Sequence, residues 1–594
     1  MKTKLLHFFF LAVFFLPHLS SAQYQWLQNG GGINTLNGSN YFSKEQVIDM
    51  ATDSQRNIYV LSVISKNDVN VSNNPSILVT TYEQNPNSPD FILISYTCDG
   101  SYRWHKVFGG GGYDYASGIQ IDSQDNVYVS GRQTQCSDNN GSDPYYSIPR
   151  IGNNDGVDYT FNTTLNSCLQ MFLAKFNNNG VFQWIHFPHN PLASTETGNI
   201  RIMRNFYIVN DVIHWIVQLT PGSYENGAFS NTNTTVPFLY YVLKYDTSGT
   251  FVSATPFDLQ ISFYTNAELR WYRNPFNGYY YAVYLNNNTI TVTAGGNTLN
   301  PDLPKIICFN DQGQYLWHSE STGYTLNFQT LDFDPQNNIY VSGTSINYTS
   351  LSNSFLGWSL PGTNTGAATF IMKCNPTMSA YDWVTNMNPG ASRVASVLYT
   401  SSKIYAASSF GDSPFVWDTQ TITGPGVNNG TDPLLAAFDS NTGNCTSLHR
   451  LVGNNGVDDG FTKIIQDNNG DLILGGYMGY QLTDSNGTDY YSYGGNTDFF
   501  ITKFASAACT PLSNESFEKA ALYLYPNPAN NYVTVAISEN VNYELYSLTG
   551  QLIKSGSLTV NKNTINLQEL SKGCYLLKLT NNNNIMQTVK VLKE

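Results

Sequence analysis

The segments MATDSQRNIYVLS (50–62), IQIDSQDNVYVSG (119–131), LDFDPQNNIYVSG (331–343) and IIQDNNGDLILGG (464–476) are four versions of one pattern. An apolar strand runs into a polar turn opened by Asp, and a second strand follows that ends in small residues. Each reads as a β-hairpin. Asp53, Asp122, Asp334 and Asp467 open the turns, where a carboxylate accepts hydrogen bonds from backbone N–H groups two residues on. Asn57, Asn126, Asn338 and Gly470 are expected to take the left-handed backbone that closes them.

A second hairpin accompanies the first: DFILISYTCDGSYRW (90–104), MFLAKFNNNGVFQW (171–184), LYYVLKYDTSGTF (239–251), KIICFNDQGQYLW (305–317) and FIMKCNPTMSAYDW (370–383), mostly ending in Trp. Two hairpins make a four-stranded unit. Weaker copies at 203–217, 270–283 and 397–409 fill the gaps between the Asp turns, which gives seven units. One such sheet cannot bury both faces, so units of this kind stack into a β-propeller or a solenoid. A closed ring is favoured. The last unit, DFFITKFASAAC (498–509), lacks its Trp strand, whereas QYQWLQNGGG (23–32) is a Trp strand without a unit. Joining the two removes the open edges that closure exists to avoid. These repeats resemble the bacterial extracellular β-propeller repeats whose units read roughly D..GNIYV.G and D.F..K.D..G...W. That resemblance implies a fold and carries little about activity.

The chain opens MKTKLLHFFFLAVFFLPHLSSAQ, two Lys before an apolar run too short to span a bilayer and then small residues, so residues 1–22 read as a signal peptide. No integral membrane segment is expected after its removal. Removal takes two Lys and no acid, leaving 27 basic and 43 acidic residues. A body this acidic repels nucleic acid and anionic lipid, which need clustered Lys and Arg. The eight Cys show no metal-type spacing. In an exported chain Cys136 and Cys168, which bracket one long insertion, can form a disulfide or remain two buried thiols.

The expected organisation is a propeller over residues 23–508, a linker over 509–520 and a small β-sandwich over 521–594. Tyr525-Pro526-Asn527-Pro528, Leu545-Tyr546 with Gly550, Leu570 with Gly573, Tyr575 and Leu577, and a closing Lys590-Val591 strand resemble the type A C-terminal sorting domain of the Bacteroidetes type IX secretion system. Cys574 departs from that pattern. The resemblance implies partners, an outer-membrane translocon and a sortase-like protease, and a product released or left on the cell surface.

Catalytic, metal-binding and cofactor-binding residues are assigned to none. His105 and His318 each follow a repeat-terminal Trp, which marks a repeated strand position. His186 and His189 in HFPHN are a possible metal pair without a third ligand. Ser413 in GDSPF lacks the strand-to-helix setting and the His and acid partners of a hydrolase nucleophile. The Asp turns lack the converging acids of a calcium loop, and the glycine runs at 30–32 and 109–112 lack the Lys of a phosphate loop. What remains is surface: insertions at 141–165, 223–241 and 483–500 rich in Tyr, Asn, Asp and Gly, a mixture suited to glycan or protein ligands. The chain therefore reads as an exported binding or scaffold protein, adhesin-like. The alternatives are a hydrolase of glycans or peptides with carboxylates in the propeller funnel, and a structural surface-layer component.

Overall fold

A computed structural model describes residues 22–32, 44–65, 69–73, 78–79, 89–110, 114–134, 148–153, 156–161, 169–187, 206–233, 239–261, 269–285, 291–323, 326–346, 354–359, 367–387, 394–426, 429–454, 456–509, 524–537, 540–548, 550–581 and 586–594. Residues 1–21 of the signal peptide expected over 1–22, and both Cys136 and Cys168, lie outside the described residues.

Each repeated turn is built around its Asp carboxylate. Asp53 Oδ1 accepts the N–H groups of Gln55 (3.0 Å) and Asn57 (2.8 Å), while Oδ2 accepts the Asn57 amide (2.8 Å) and the Tyr59 hydroxyl (2.9 Å). Asp122 and Asp334 repeat the cage with Asn126 and Tyr128, and with Asn338 and Tyr340. In the first three turns the left-handed residue sits one place earlier than the sequence pattern suggests, while in the fourth it is Gly470, as expected. Arg56, Asp125, Asn337 and Gly470 have φ of 65°, 62°, 66° and 86°. The third residue after Asp must turn left-handed so that the fourth N–H reaches the carboxylate. Asn57, Asn126 and Asn338, at that fourth place, contribute their side-chain amides instead.

The strands among the described residues form seven four-stranded antiparallel blades in chain order. Blade 1, for example, is Val47–Thr52, Ile58–Ile64, Asp90–Tyr96 and Tyr102–Gly109. The first strands of successive blades, Val47–Thr52, Tyr115–Ile121, Phe206–Val209, Leu269–Arg273, Leu326–Phe333, Ser396–Tyr399 and Gly460–Gln466, lie innermost. Gln23–Gly30 pairs antiparallel with Asp498–Ala505, Trp26 opposite Lys503, and so supplies the outer strand of blade 7. The ring closes as the orphan Trp strand predicts. A disulfide between Cys98, in the turn between the last two strands of blade 1, and Cys509, just past blade 7, ties the same joint across 411 residues.

Neighbouring blades are bonded on both faces of the ring. On the face of the Asp turns, the outer-strand Trp of one blade packs on a turn of the next. Trp26 Nε1 donates to Cys98 O (3.2 Å), Trp104 Nε1 to Asn178 O (3.0 Å) and Trp383 Nε1 to Ser440 O (3.1 Å). Beneath Trp104 lies Gly180, with φ of 77°, where an added Cβ would come within 2.6 Å of the indole. The repeated Gly and Trp are two halves of one contact between blades.

On the opposite face, the connection between the second and third strands of every blade carries a short hairpin, and each hairpin grips the preceding blade. Two extend the neighbour's sheet: Ile151 pairs with Phe108, and Ala294 with Leu259. Two pair with the segment just past it, Asn70 with Gly31 and Leu482 with Gly453. The remaining three use hydrogen bonds outside any strand ladder. Glu225 meets His186 Nε2 at 3.1 Å, Thr322 N donates to Ser354 O at 2.9 Å, and Trp417 Nε1 donates to Thr385 Oγ1 at 2.8 Å.

The chain divides into two compact units, Met1–Thr510 and Pro511–Glu594. The second is a β-sandwich of a three-stranded and a four-stranded sheet around Val533, Leu545, Ile565, Leu577 and Val591. Its Tyr525-Pro526-Asn527-Pro528 motif is pinned by one side chain: Asn527 Nδ2 donates to Lys590 O and Oδ1 accepts from Leu592 N, both at 2.8 Å.

Candidate functional site

The ring axis is occupied by a cavity of about 240 Å³ to which all seven innermost strands contribute, among them Asp49, Gln120, Phe206, Trp271, Asp332, Val397 and Lys463. Strand alternation sends one set of side chains inward at this radius, and three of the lining residues, Asp49, Asp332 and Lys463, are charged. Asp49 Oδ1 lies 2.6 Å from Lys463 Nζ of blade 7, and its Oδ2 accepts Ile119 N–H of blade 2 at 3.2 Å. Asp332 accepts the N–H groups of Phe333 (2.9 Å) and, from blade 6, Tyr399 (2.5 Å). Burial pushes the Asp332 carboxyl up to about 6, with these two N–H groups pulling the other way. Each carboxylate therefore bonds its own blade to a neighbour. Sequence reasoning did not single out Asp49, Asp332 or Lys463. The available signal was a charged residue inside an otherwise apolar first strand.

The hairpin face offers a different surface. The blade 7 hairpin, Gln481–Thr483 and Asp489–Tyr491, is stiffened by another Asp-centred turn, in which Asp484 Oδ1 accepts the N–H groups of Asn486 and Thr488, each at 2.9 Å. Ser492 N donates to Tyr480 O at 2.8 Å. Tyr480 and Tyr491 are 52% and 51% exposed, their rings edge-to-face with centroids 6.1 Å apart. Tyr491, within the Tyr-rich insertion at 483–500, and Tyr480, just before it, thus present two aromatic faces to solvent from a braced hairpin.

His105 and His318 occupy equivalent strand positions, and each Nδ1 meets a Tyr hydroxyl three residues earlier, at 2.7 and 2.8 Å. His186 is bonded to Glu225 in the grip between blades 2 and 3, and His189 lies outside the described residues. Ser413 is exposed and accepts Gly424 N–H at 3.3 Å. Among the described residues no three His, Cys, Asp or Glu gather as a metal-binding group, and no helix is long and apolar enough to cross a membrane.

Residues 523–594 match the family model of the secretion system C-terminal sorting domain. No curated protein matches the chain. Among solved structures it is similar to a protein of unknown function from Dyadobacter fermentans (9% identity, TM-score 0.34, covering 66% of this chain and 95% of that one). It is similar also to the Dos1 propeller (9%, 0.36, 82% and 96%) and to polysaccharide lyase Uly1 (8%, 0.38, 80% and 93%). The terminal unit is a type IX sorting domain, and the chain is a β-propeller protein exported to the cell surface or the medium.

Proposed function

We propose that this exported propeller is a binding protein, adhesin-like, that recognises a glycan or protein ligand through its hairpin face, while the sorting domain engages the translocon and a sortase-like protease. The exposed Tyr480 and Tyr491 pair on its braced hairpin carries the reading. Rigid aromatic faces with a polar tip give contact area at low entropic cost, and the hairpin is stiffened before any ligand arrives. A hydrolase needs carboxylates free to act on substrate. Asp49 and Asp332 stand in the channel, but their oxygens are engaged with neighbouring blades.

The test is binding of the purified mature protein to glycan and protein arrays, with hydrolysis products followed in the same wells. Saturable binding without turnover, weakened about tenfold or more in Tyr480→Ala and Tyr491→Ala as for interface anchors generally, is the expected result. Turnover abolished by Asp332→Asn would replace this reading with the hydrolase one.

A further inference from the structure

The joint where the ring closes contains two buried acids facing one glycine. Glu45, just before the first strand of blade 1, is 2% exposed, and Asp498, which opens the third strand of blade 7, is fully buried. Both close over Gly31: a Cβ placed there would lie 2.5 Å from Asp498 Oδ1 and 2.6 Å from Glu45 Oε2. Some of their oxygens are satisfied. Glu45 accepts Gly32 N–H (3.0 and 3.2 Å to its two oxygens) and Ser65 N–H, and Asp498 Oδ2 accepts Tyr493 N–H at 2.6 Å. Asp498 Oδ1, the oxygen aimed at Glu45 across Gly31, has no hydrogen-bond partner. The adjacent Thr497 hydroxyl is also buried without one.

The same arrangement between blades 6 and 7 shows what is missing. There Asp432 Oδ1 and Asp459 Oδ2 close over Gly453, 2.8 and 2.2 Å from the position of a Cβ, and Asp459 Oδ2 likewise has no hydrogen-bond partner, so the two joints differ in charge. Arg450 Nη1 lies 2.9 Å from Asp432 Oδ2, and Lys44 acts on Asp459. At the closing joint burial raises both carboxyls; among the described residues the other groups acting on Glu45 are the charge of Asp498 and the donors of Ser65 and Gly32, and the one acting on Asp498 is the Tyr493 N–H, with no basic side chain among them. Two carboxylates held together away from water cost several kcal/mol per ion unless a positive charge sits with them.

We infer that the Glu45 and Asp498 carboxylates bind a hard divalent cation, calcium, at the joint between blade 7 and blade 1. An oxygen-only donor set is the chemistry of calcium or magnesium, and carboxylates are commonly completed by backbone carbonyls and water. The outside of the cell supplies calcium at concentrations such sites require. The cation does at this joint what Arg450 and Lys44 do at the preceding one, and it holds the N-terminal strand segment against the last blade.

The experiment uses the mature protein, stripped with chelator and dialysed. Metal analysis after re-addition of calcium, with magnesium and sodium as controls, is expected to find one calcium per chain. The thermal midpoint is expected to rise by ~2–4 °C in ~5 mM calcium relative to chelator. Glu45→Gln and Asp498→Asn should each abolish that rise, while Asp432→Asn keeps it. Two results would overturn the inference: no retained calcium together with a midpoint indifferent to it, or a midpoint that ignores calcium and whose fall above neutral pH, beyond the part removed by Asp459→Asn, is reduced in Glu45→Gln. The second result would mean that a shared proton holds the pair. The metal analysis is made on the unmodified chain, so it decides the matter even where a variant fails to fold.

Discussion

Asp459 sits in the junction between blades 6 and 7, where burial, with Asp432 and Asp458 adding like charge, pushes its carboxyl up to about 8 against the pull of the Gly479 N–H and Lys44. In the unfolded chain the same carboxyl ionises near 4. The folded chain therefore holds a proton that the unfolded chain has lost across that window, and this contribution to stability declines as pH rises through it. Above ~pH 6.5 the histidines whose folded values are lowered, His214, His318 and His449, no longer oppose the trend. The thermal midpoint is expected to fall between about pH 6.5 and 8, and Asp459→Asn to remove much of the fall; an unchanged slope in the variant would assign the proton elsewhere. Nothing in the sequence marks Asp459 as unlike Asp458 beside it. The turn-forming Asp53, Asp122 and Asp334 were legible because their partners lie within six residues. Asp459 and Asp432 meet only through the fold.

Among elements, the packing of Trp104 over Gly180 shows why the repeat spells both residues. Gly180→Ala places a methyl in the left-handed region and against the indole. The expected cost is ~1–3 kcal/mol, read as a lower denaturation midpoint with an unchanged denaturant slope. If the cost stays within the range of an ordinary surface substitution, the contact between the two blades does not depend on that close approach. The strands themselves were readable from apolar alternation and Trp endings, and blade 7 was completed where the sequence placed it. The hairpins of the opposite face were not readable. Several have strands of two or three residues, as at Ser354–Phe355 and Trp358–Ser359, too short for any periodicity to register. Their grips differ from blade to blade, from sheet extension at Ile151 to the bond from Trp417 to Thr385, and so follow no repeated motif.

For the whole molecule, the Cys98–Cys509 bond and the pairing of Gln23–Gly30 with Asp498–Ala505 make closure both covalent and hydrogen-bonded. Spacing left Cys136 and Cys168 open as either a disulfide or two thiols and gave no hint of a bond over 411 residues, because cysteine positions carry no distance information until the ring is drawn. Cys98→Ser, or reduction, is expected to cost ~2–4 kcal/mol and to lower the unfolding midpoint without changing the blades. A midpoint unchanged by reduction would mean that the strand pairing alone holds the joint.

The direction of the hairpin grips has a consequence for how such a chain is made. Every grip reaches back toward the N-terminus, over 39 residues from Glu225 to His186 and over 32 from Trp417 to Thr385. Contacts this local keep the cost of loop closure low, so each blade can dock on its predecessor as soon as it has been synthesised. Only the last step, capture of the waiting N-terminal strand and formation of the Cys98–Cys509 bond, is long-range. Assembly is thus processive along the chain and becomes committed at its end, when the residues just ahead of the sorting domain take their place.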